Sequence, residues 1–285
     1  SAFIGNPTRI SMTYANNPLF SRIKCLSLSI YKWAPINHKN LEVMLNSLRI
    51  SSIKNLTLYL SFKQSALQDN YLQNLSRGLK EFKQLIGLKL YLFSTKEIPE
   101  DSYSKFFTQL CDLKGLQDCT FKLASFNSHF KGEFLSSLGQ FLGKPELTNL
   151  ELQLNEMKKL DSKFLMNFAN QISHAQTLRS IKLEFYDLPL TESGLGVLIE
   201  EIAKISYLNK FSFDIYNRGT PSNTIYETIT KKFQTLKSIE ELELKFFNAK
   251  VITNTCLMGL AKSLEQIQKL NKLSLIFGYT DGYSE

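Results

Sequence analysis

Nine copies of one apolar pattern divide this chain into near-equal intervals, and no other feature constrains its fold as much. The copies are IKCLSLSI from Ile23, IKNLTLYL from Ile53, LIGLKLYL from Leu85, LQDCTFKL from Leu116, LTNLELQL from Leu147, LRSIKLEF from Leu178, LNKFSFDI from Leu208, IEELELKF from Ile239 and LNKLSLIF from Leu270. Their starts lie 30, 32, 31, 31, 31, 30, 31 and 31 residues apart. Every copy is apolar at its first, fourth, sixth and eighth positions, Cys119 included. In a chain that is 43% apolar, chance agreement of this kind has a probability on the order of 10⁻¹³. The period is therefore a property of the fold.

Alternation at the last three apolar positions predicts a strand with one buried face. A second pattern fills the intervals. Counting back from the next strand, offsets of thirteen, ten, six and three tend to be apolar, which places four side chains on one face of a helix. Leu72, Leu75, Leu79 and Phe82 form one such set; Leu195, Leu198, Ile202 and Ile205 form another. Two intervals depart: the first carries Asn40 and Ser47, and the one before Leu147 carries Ser137 and Lys144. All seven prolines fall outside the nine strand segments, as strands require. Gly143 followed by Pro145 reads as a helix stop, and Thr224 with Glu227 as a capping pair at a helix start.

This LxxLxL repeat resembles the leucine-rich-repeat family, in its longer, helix-bearing form typified by ribonuclease inhibitor. The resemblance runs from about residue 23 to 277 and covers most of the chain. It implies an α/β solenoid of about nine repeats, a curved horseshoe with a parallel sheet on the concave face and helices on the convex face. The curvature also follows from packing. Strands stack roughly 4.8 Å apart and helices about 9–10 Å apart, so the stack arches with the sheet inside. The family usually carries Asn or Cys three positions beyond the last Leu of LxxLxL. Here that ninth position reads Tyr31, Ser61, Phe93, Ala124, Asn155, Tyr186, Tyr216, Phe247 and Gly278, so only Asn155 fits. We divide the chain into a flank at 1–22, a cap or degenerate repeat using Ile10 and Phe20, and a repeat domain at 23–285. The sequence stops just past a strand, so more chain or a partner is expected to cover that edge.

Catalytic and cofactor patterns are not found. The three histidines, His38, His129 and His174, are far apart in sequence, and no HExxH, zinc-type Cys/His spacing, GxSxG, GxGxxG or P-loop occurs. We expect no enzyme activity, no cofactor and no metal. Cys25, Cys111, Cys119 and Cys256 form no disulfide-like spacing, which fits free thiols in a reducing, cytoplasmic setting. The triplets at Asn55 and Asn74 that resemble glycosylation sites fall within expected regular elements. No apolar run is long enough for a membrane span, and no signal peptide is visible. The net charge is +8, supplied by 28 Lys and 6 Arg. Arg9, Arg22, Lys24, Lys32 and Lys39 precede any acidic residue.

If the strands run as read, their third, fifth and seventh positions face the concavity. The fifth-position column includes Lys89, Thr120, Glu151, Lys182, Ser212 and Glu243, a mixture that partly neutralises itself. The seventh-position column includes Tyr59, Tyr91, Lys122, Glu184, Asp214 and Lys245; the ninth adds Phe93, Tyr186, Tyr216 and Phe247. Aromatic groups among polar ones on a rigid surface suit a protein partner. The candidate partner-binding residues are Tyr59, Tyr91, Phe93, Lys122, Tyr186, Asp214, Tyr216 and Phe247. The ninth-position rings admit a second reading, as packing in place of the missing Asn. The leading expectation is a protein-interaction scaffold. Two alternatives stay open: the repeat region of a larger regulatory protein, such as an enzyme inhibitor or GTPase regulator, and a basic nucleic-acid-associated repeat protein. The acids in the concave columns disfavour the last.

Overall fold

Successive apolar segments fold as parallel strands, each hydrogen-bonded to the next in chain order. A computed structural model describes residues 22–30, 45, 52–62, 71–94, 98–125, 134–155, 163–188, 190–216, 223–247 and 253–278. The strands are β1 (Cys25–Ile30), β2 (Asn55–Phe62), β3 (Gly87–Ser94), β4 (Asp118–Ser125), β5 (Asn149–Asn155), β6 (Ser180–Tyr186), β7 (Lys210–Tyr216), β8 (Glu241–Phe247) and β9 (Lys272–Gly278). They form one open sheet in the order β1 to β9. Among the described residues, seven helices lie between them: α1 (Tyr71–Leu79), α2 (Glu100–Leu110), α3 (Phe134–Leu142), α4 (Phe164–Ile172), α5 (Glu192–Ala203), α6 (Asn223–Lys232) and α7 (Asn254–Leu264). Strand packs on strand and helix on helix in the same order. Among the described residues this is an α/β leucine-rich-repeat solenoid of about nine units. The proposed flank with Ile10 and Phe20, together with Tyr31, His38, His129, Asn40 and Ser47, lies outside the described residues.

The register matches the repeat residue for residue: Asn55 pairs with Gly87, Gly87 with Asp118, and Asp118 with Asn149. The strands begin at the third position of each repeat, two residues later than the apolar pattern begins. The first two positions form a turn that serves as the joint between units. From Leu85 onward, the N–H of each first-position residue donates to the carbonyl three residues back, as in Leu85 to Phe82 at 3.1 Å and Leu178 to Ala175 at 3.1 Å. The second-position carbonyl then accepts two N–H donors from the next unit. Lys24 O accepts from Lys54 N at 2.7 Å and Asn55 N at 3.0 Å; Thr148 O accepts from Arg179 N at 2.8 Å and Ser180 N at 3.2 Å. The same fork recurs on Lys54, Ile86, Gln117, Arg179, Asn209 and Glu240. Main-chain groups thus join the units at the strand entry, seven residues before the ninth position where the family carries its Asn. Asn155, the one match, accepts instead from the Gln153 amide on its own strand at 3.0 Å.

The core lies between the sheet and the helix layer. Leu56, Leu58 and Leu60 of β2, and their equivalents in the interior strands, are buried, as are Leu75, Leu79 and Phe82 from the helix side. Aromatic side chains fill the middle: Phe121 meets Phe106, Phe107 and Phe141 edge-on. Helix α3 shows how the departing interval is solved. Leu135 and Leu138 are buried in place of Ser137, and the helix ends at Leu142 ahead of Gly143. Lys144 is 7% exposed in a position that is apolar in the other described intervals. Its ammonium donates to the carbonyl of Cys111 at 2.9 Å, just beyond the end of α2, where the helix dipole favours a cation. Helix α6 starts at Asn223, one residue before Thr224. Asn55 opens β2 and Asn74 is buried in α1, so both triplets sit in regular elements.

Candidate functional site

Strand alternation carries the third, fifth, seventh and ninth positions to the face of the sheet opposite the helices. From β2 onward the strands extend through the ninth position, in register Ser61, Phe93, Ala124, Asn155, Tyr186, Tyr216, Phe247 and Gly278. All eight candidate residues therefore share one face, on six strands between β2 and β8. They do not converge on a point. They form three neighbouring groups.

The first group is an aromatic platform on β2 and β3. Tyr59 and Tyr91 are register partners, and their rings stack at 4.3 Å between centroids and 14° between planes. Both are half-buried. Lys122 on β4 holds its ammonium 5.7 Å from the Tyr91 ring centre, within cation–π range. Burial, the Tyr59 hydroxyl and the carboxylates of Glu151 and Glu184 push the Tyr91 hydroxyl up to about 12, so it stays a neutral donor at physiological pH. Phe93 lies one step further along β3, also half-buried.

The second group is a closed ring of four charges. Lys122 reaches Glu151 at 3.0 Å and, across the intervening Gln153, Glu184 at 3.6 Å. Lys182 closes the ring by contacting Glu151 at 3.7 Å and pairing closely with Glu184. Thr120 adds a hydroxyl donor to Glu151 at 3.2 Å. Burial opposes the charged form of Glu151, but the hydrogen bond and charge of Lys122, the charge of Lys182 and the Thr120 hydroxyl outweigh it. Its carboxyl therefore titrates below the ordinary glutamate range. Burial likewise opposes the charge of Lys182, and Glu184 and Glu151 more than restore it.

The third group lies on β6–β8. Asp214 is 4% exposed and is the register partner of Glu184, also 4% exposed. Its Oδ2 meets Lys245 at 3.5 Å, while Oδ1 is buried with no hydrogen-bond partner among the described residues. Burial raises its pKa, Glu184 and Glu243 add to the rise, and Lys245 and Lys182 offset only part of it. Lys245 also holds Glu243 at 3.0 Å, which accepts from Ser212 at 2.9 Å. Beside these charges runs a file of rings: Tyr186 and Tyr216 at 5.7 Å, then Tyr216 and Phe247 at 6.4 Å. Each is half-buried, so these rings pack on one another and still present an edge to solvent. At the end of the file the Phe247 ring lies against Gly278, where a Cβ would come within 2.6 Å of it.

Sequence columns located the residues but missed the pairs that matter most. The Lys122–Glu184 contact skips a strand, and Lys122–Glu151 is diagonal, so neither is visible in a column of equivalent positions. Outside this face, His174 is exposed with Nδ1 3.2 Å from the Gln171 carbonyl. Among the described residues no group of three or more His, Cys, Asp or Glu is placed to hold a metal ion. Among them too, no helix is long and apolar enough to cross a membrane.

No protein-family model matches the chain, and no curated protein is similar to it in sequence. Solved structures with a similar course include internalin C2 of Listeria monocytogenes, at 10% identity over 77% of this chain and 80% of that one, TM-score 0.38. A leucine-rich-repeat protein of Leptospira interrogans aligns at 12% identity over 98% of this chain and 89% of its own, TM-score 0.27. The leucine-rich repeat domain of APL1B aligns at 11% identity over 98% and 71%, TM-score 0.36. The architecture described above rests on the chain's own strands and register.

Proposed function

We propose that this chain is a protein-interaction module that holds its partner on the concave face of the sheet, and that it does not itself catalyse a reaction. The observation that carries this reading is the combination, on one rigid surface, of half-buried aromatic files with charges already paired to one another. Aromatic side chains bury much area at small entropic cost and dominate interface energies. The paired charges supply a polar surround. The nine parallel strands hold both in fixed register over the length of the sheet.

Two finer features go with this reading. A helix in each described interval fits the longer repeat type typified by ribonuclease inhibitor. Cys119 is a buried thiol and Cys25 an exposed one, neither in a disulfide, which supports residence in a reducing, cytoplasmic compartment. A continuous phosphate track is disfavoured, because Lys122, Lys182 and Lys245 are each engaged by carboxylates of the same face.

The test is in-cell crosslinking from the concave face, followed by affinity measurements on the purified partner. Tyr91→Ala, Tyr216→Ala and Lys122→Glu are each expected to weaken binding, the strongest by roughly tenfold or more. A partner whose affinity ignores all three substitutions sinks the reading.

A further inference from the structure

The concave face is not uniform in charge. Six described carboxylates lie on it, Asp118, Glu151, Glu184, Asp214, Glu241 and Glu243, and all belong to β4–β8. Strands β1–β3 carry none. Their concave positions hold Cys25, Ser27, Ser29, Asn55, Thr57, Tyr59, Ser61, Gly87, Lys89, Tyr91 and Phe93 only as neutral groups and one cation, Lys89. Lys89 is exposed, its register neighbours are Thr57 and Thr120, and among the described residues no carboxylate lies within ion-pair distance of it. Lys24 and Lys54 stand exposed at the start of β1 and β2, also without a carboxylate partner among those residues. The cations further along the sheet, Lys122, Lys182, Lys210, Lys245 and Lys272, are all held in ion pairs.

The whole sequence repeats the asymmetry. Residues 1–94 hold twelve Lys or Arg against three Asp or Glu, a net +9, and the remaining residues hold 22 against 23, a net −1. A field concentrated at one end of a rigid surface steers oppositely charged partners to that end and repels like-charged ones.

From this juxtaposition, and resting on the reading that the concave face binds protein, we infer that β1–β3 receive an acidic segment of the partner. Its carboxylates meet Lys89, with Lys54 and Lys24 at the lower margin. An aromatic or apolar side chain of the same segment lies on the stacked Tyr59–Tyr91 platform. The hydroxyls of Ser27, Ser29 and Thr57 supply neutral hydrogen-bonding groups between the two. Across the strands the patch spans about 10 Å, and along them about 20 Å, so it accommodates a short stretch of chain. A basic segment finds no carboxylate there and several uncompensated lysines. A nucleic acid would lose its free cations as soon as it crossed β3.

The test uses short random peptides displayed on phage and selected on the full chain, with the enriched peptides then synthesised. The winners are expected to be rich in Asp and Glu with an aromatic residue. Their binding should weaken roughly tenfold in Lys89→Glu and in Tyr91→Ala, weaken with salt, and be untouched by Lys105→Ala on the helix side. Replacing the peptide's acids by lysines should restore binding to Lys89→Glu, which shows that this variant is folded and that charge is what it reads. Winners that are neutral or basic, acidic winners indifferent to Lys89→Glu, or no winners at all overturn the inference. Winners that depend on Tyr216 and ignore Tyr91 overturn it too but leave concave-face binding standing. Winners that ignore every concave substitution overturn both. Single-stranded oligonucleotides that bind and displace the acidic peptide through Lys89 would replace the inference with a nucleic-acid one.

Discussion

Burial acts on Glu151 and Asp214 in the same direction, yet their neighbours leave them with opposite shifts. Glu151 is surrounded by donors and its carboxyl is held down. Asp214 keeps one oxygen without a hydrogen-bond partner among the described residues and its carboxyl is held up. The linkage to stability has opposite sign for the two. For Glu151, stabilisation is present above the unfolded glutamate value of about 4.3 and is lost as pH falls through the lower folded value. For Asp214, the protonated form is favoured on folding, so its contribution is best below the unfolded value of about 3.9 and declines as pH rises through the higher folded value. Thermal unfolding over a pH series checks both. Glu151→Gln should cost about 1–2 kcal/mol at neutral pH, the loss vanishing in acid. Asp214→Asn should be neutral or stabilising at neutral pH and lose that advantage in acid. The same sign for the two variants would show that these surroundings are misassigned. Neither shift was legible in the sequence, because a column of equivalent positions shows which residues are neighbours and not how many donors reach each oxygen.

At the scale of the element, strands were far more legible than helix ends. Strict alternation leaves a strand one way to bury its apolar face, and a slip of one residue would turn every side chain over. The missing detail was the two-residue delay before each strand, since the joint there is built by main-chain groups that a side-chain pattern does not record. Helices tolerate more. Helix α3 rotates Leu138 into the core in place of Ser137, and Lys144 solves its position with a carbonyl from the preceding unit. Helix starts also differ in chemistry. Thr191 caps α5 by accepting from Gly194 N at 3.2 Å, and Thr253 caps α7 by accepting from Cys256 N at 3.2 Å, whereas α2 follows Pro99 with no side-chain cap. Thr191→Ala is expected to lower stability by about 1 kcal/mol, with Thr191→Ser close to neutral. Chemical denaturation of the three proteins measures this, and an equal loss in the serine variant would mean that the hydroxyl is not the source.

For the whole molecule, among the described residues the strands and helices of each unit pack only on those of the units before and after it, with the Lys122–Glu184 pair reaching one unit further, so stability is close to a sum of units and of the joints between them. Among the described residues, the unit ending in β9 is joined to a neighbour on one side. Leu273, Leu275 and Phe277, in positions buried elsewhere, are 43%, 37% and 42% exposed, and Met258 on α7 is 61% exposed. Interior units lie between two neighbours, and Phe185 at the eighth position in β6 and Phe213 at the sixth position in β7 are fully covered. Amide hydrogen exchange should therefore be slowest in β4–β7 and progressively faster through α7 and β9. Uniform protection from β2 to β9 would show that the solenoid opens as one body. The open sheet in chain order was legible because a period so regular permits stacking and little else. The grouping of its concave face into platform, charge ring and ring file was not, since it depends on which long side chains reach across a strand.

The forked hydrogen bonds at the joints have a consequence for how such a chain can vary. Their acceptors belong to Lys24, Lys54, Ile86, Gln117, Thr148, Arg179, Asn209 and Glu240, residues with no chemistry in common. A hinge pin made only of peptide groups is indifferent to the letter written at that place, proline excepted. Inherited changes can therefore accumulate along the seams without loosening the arch, and the outline of the molecule outlasts the spelling that first produced it.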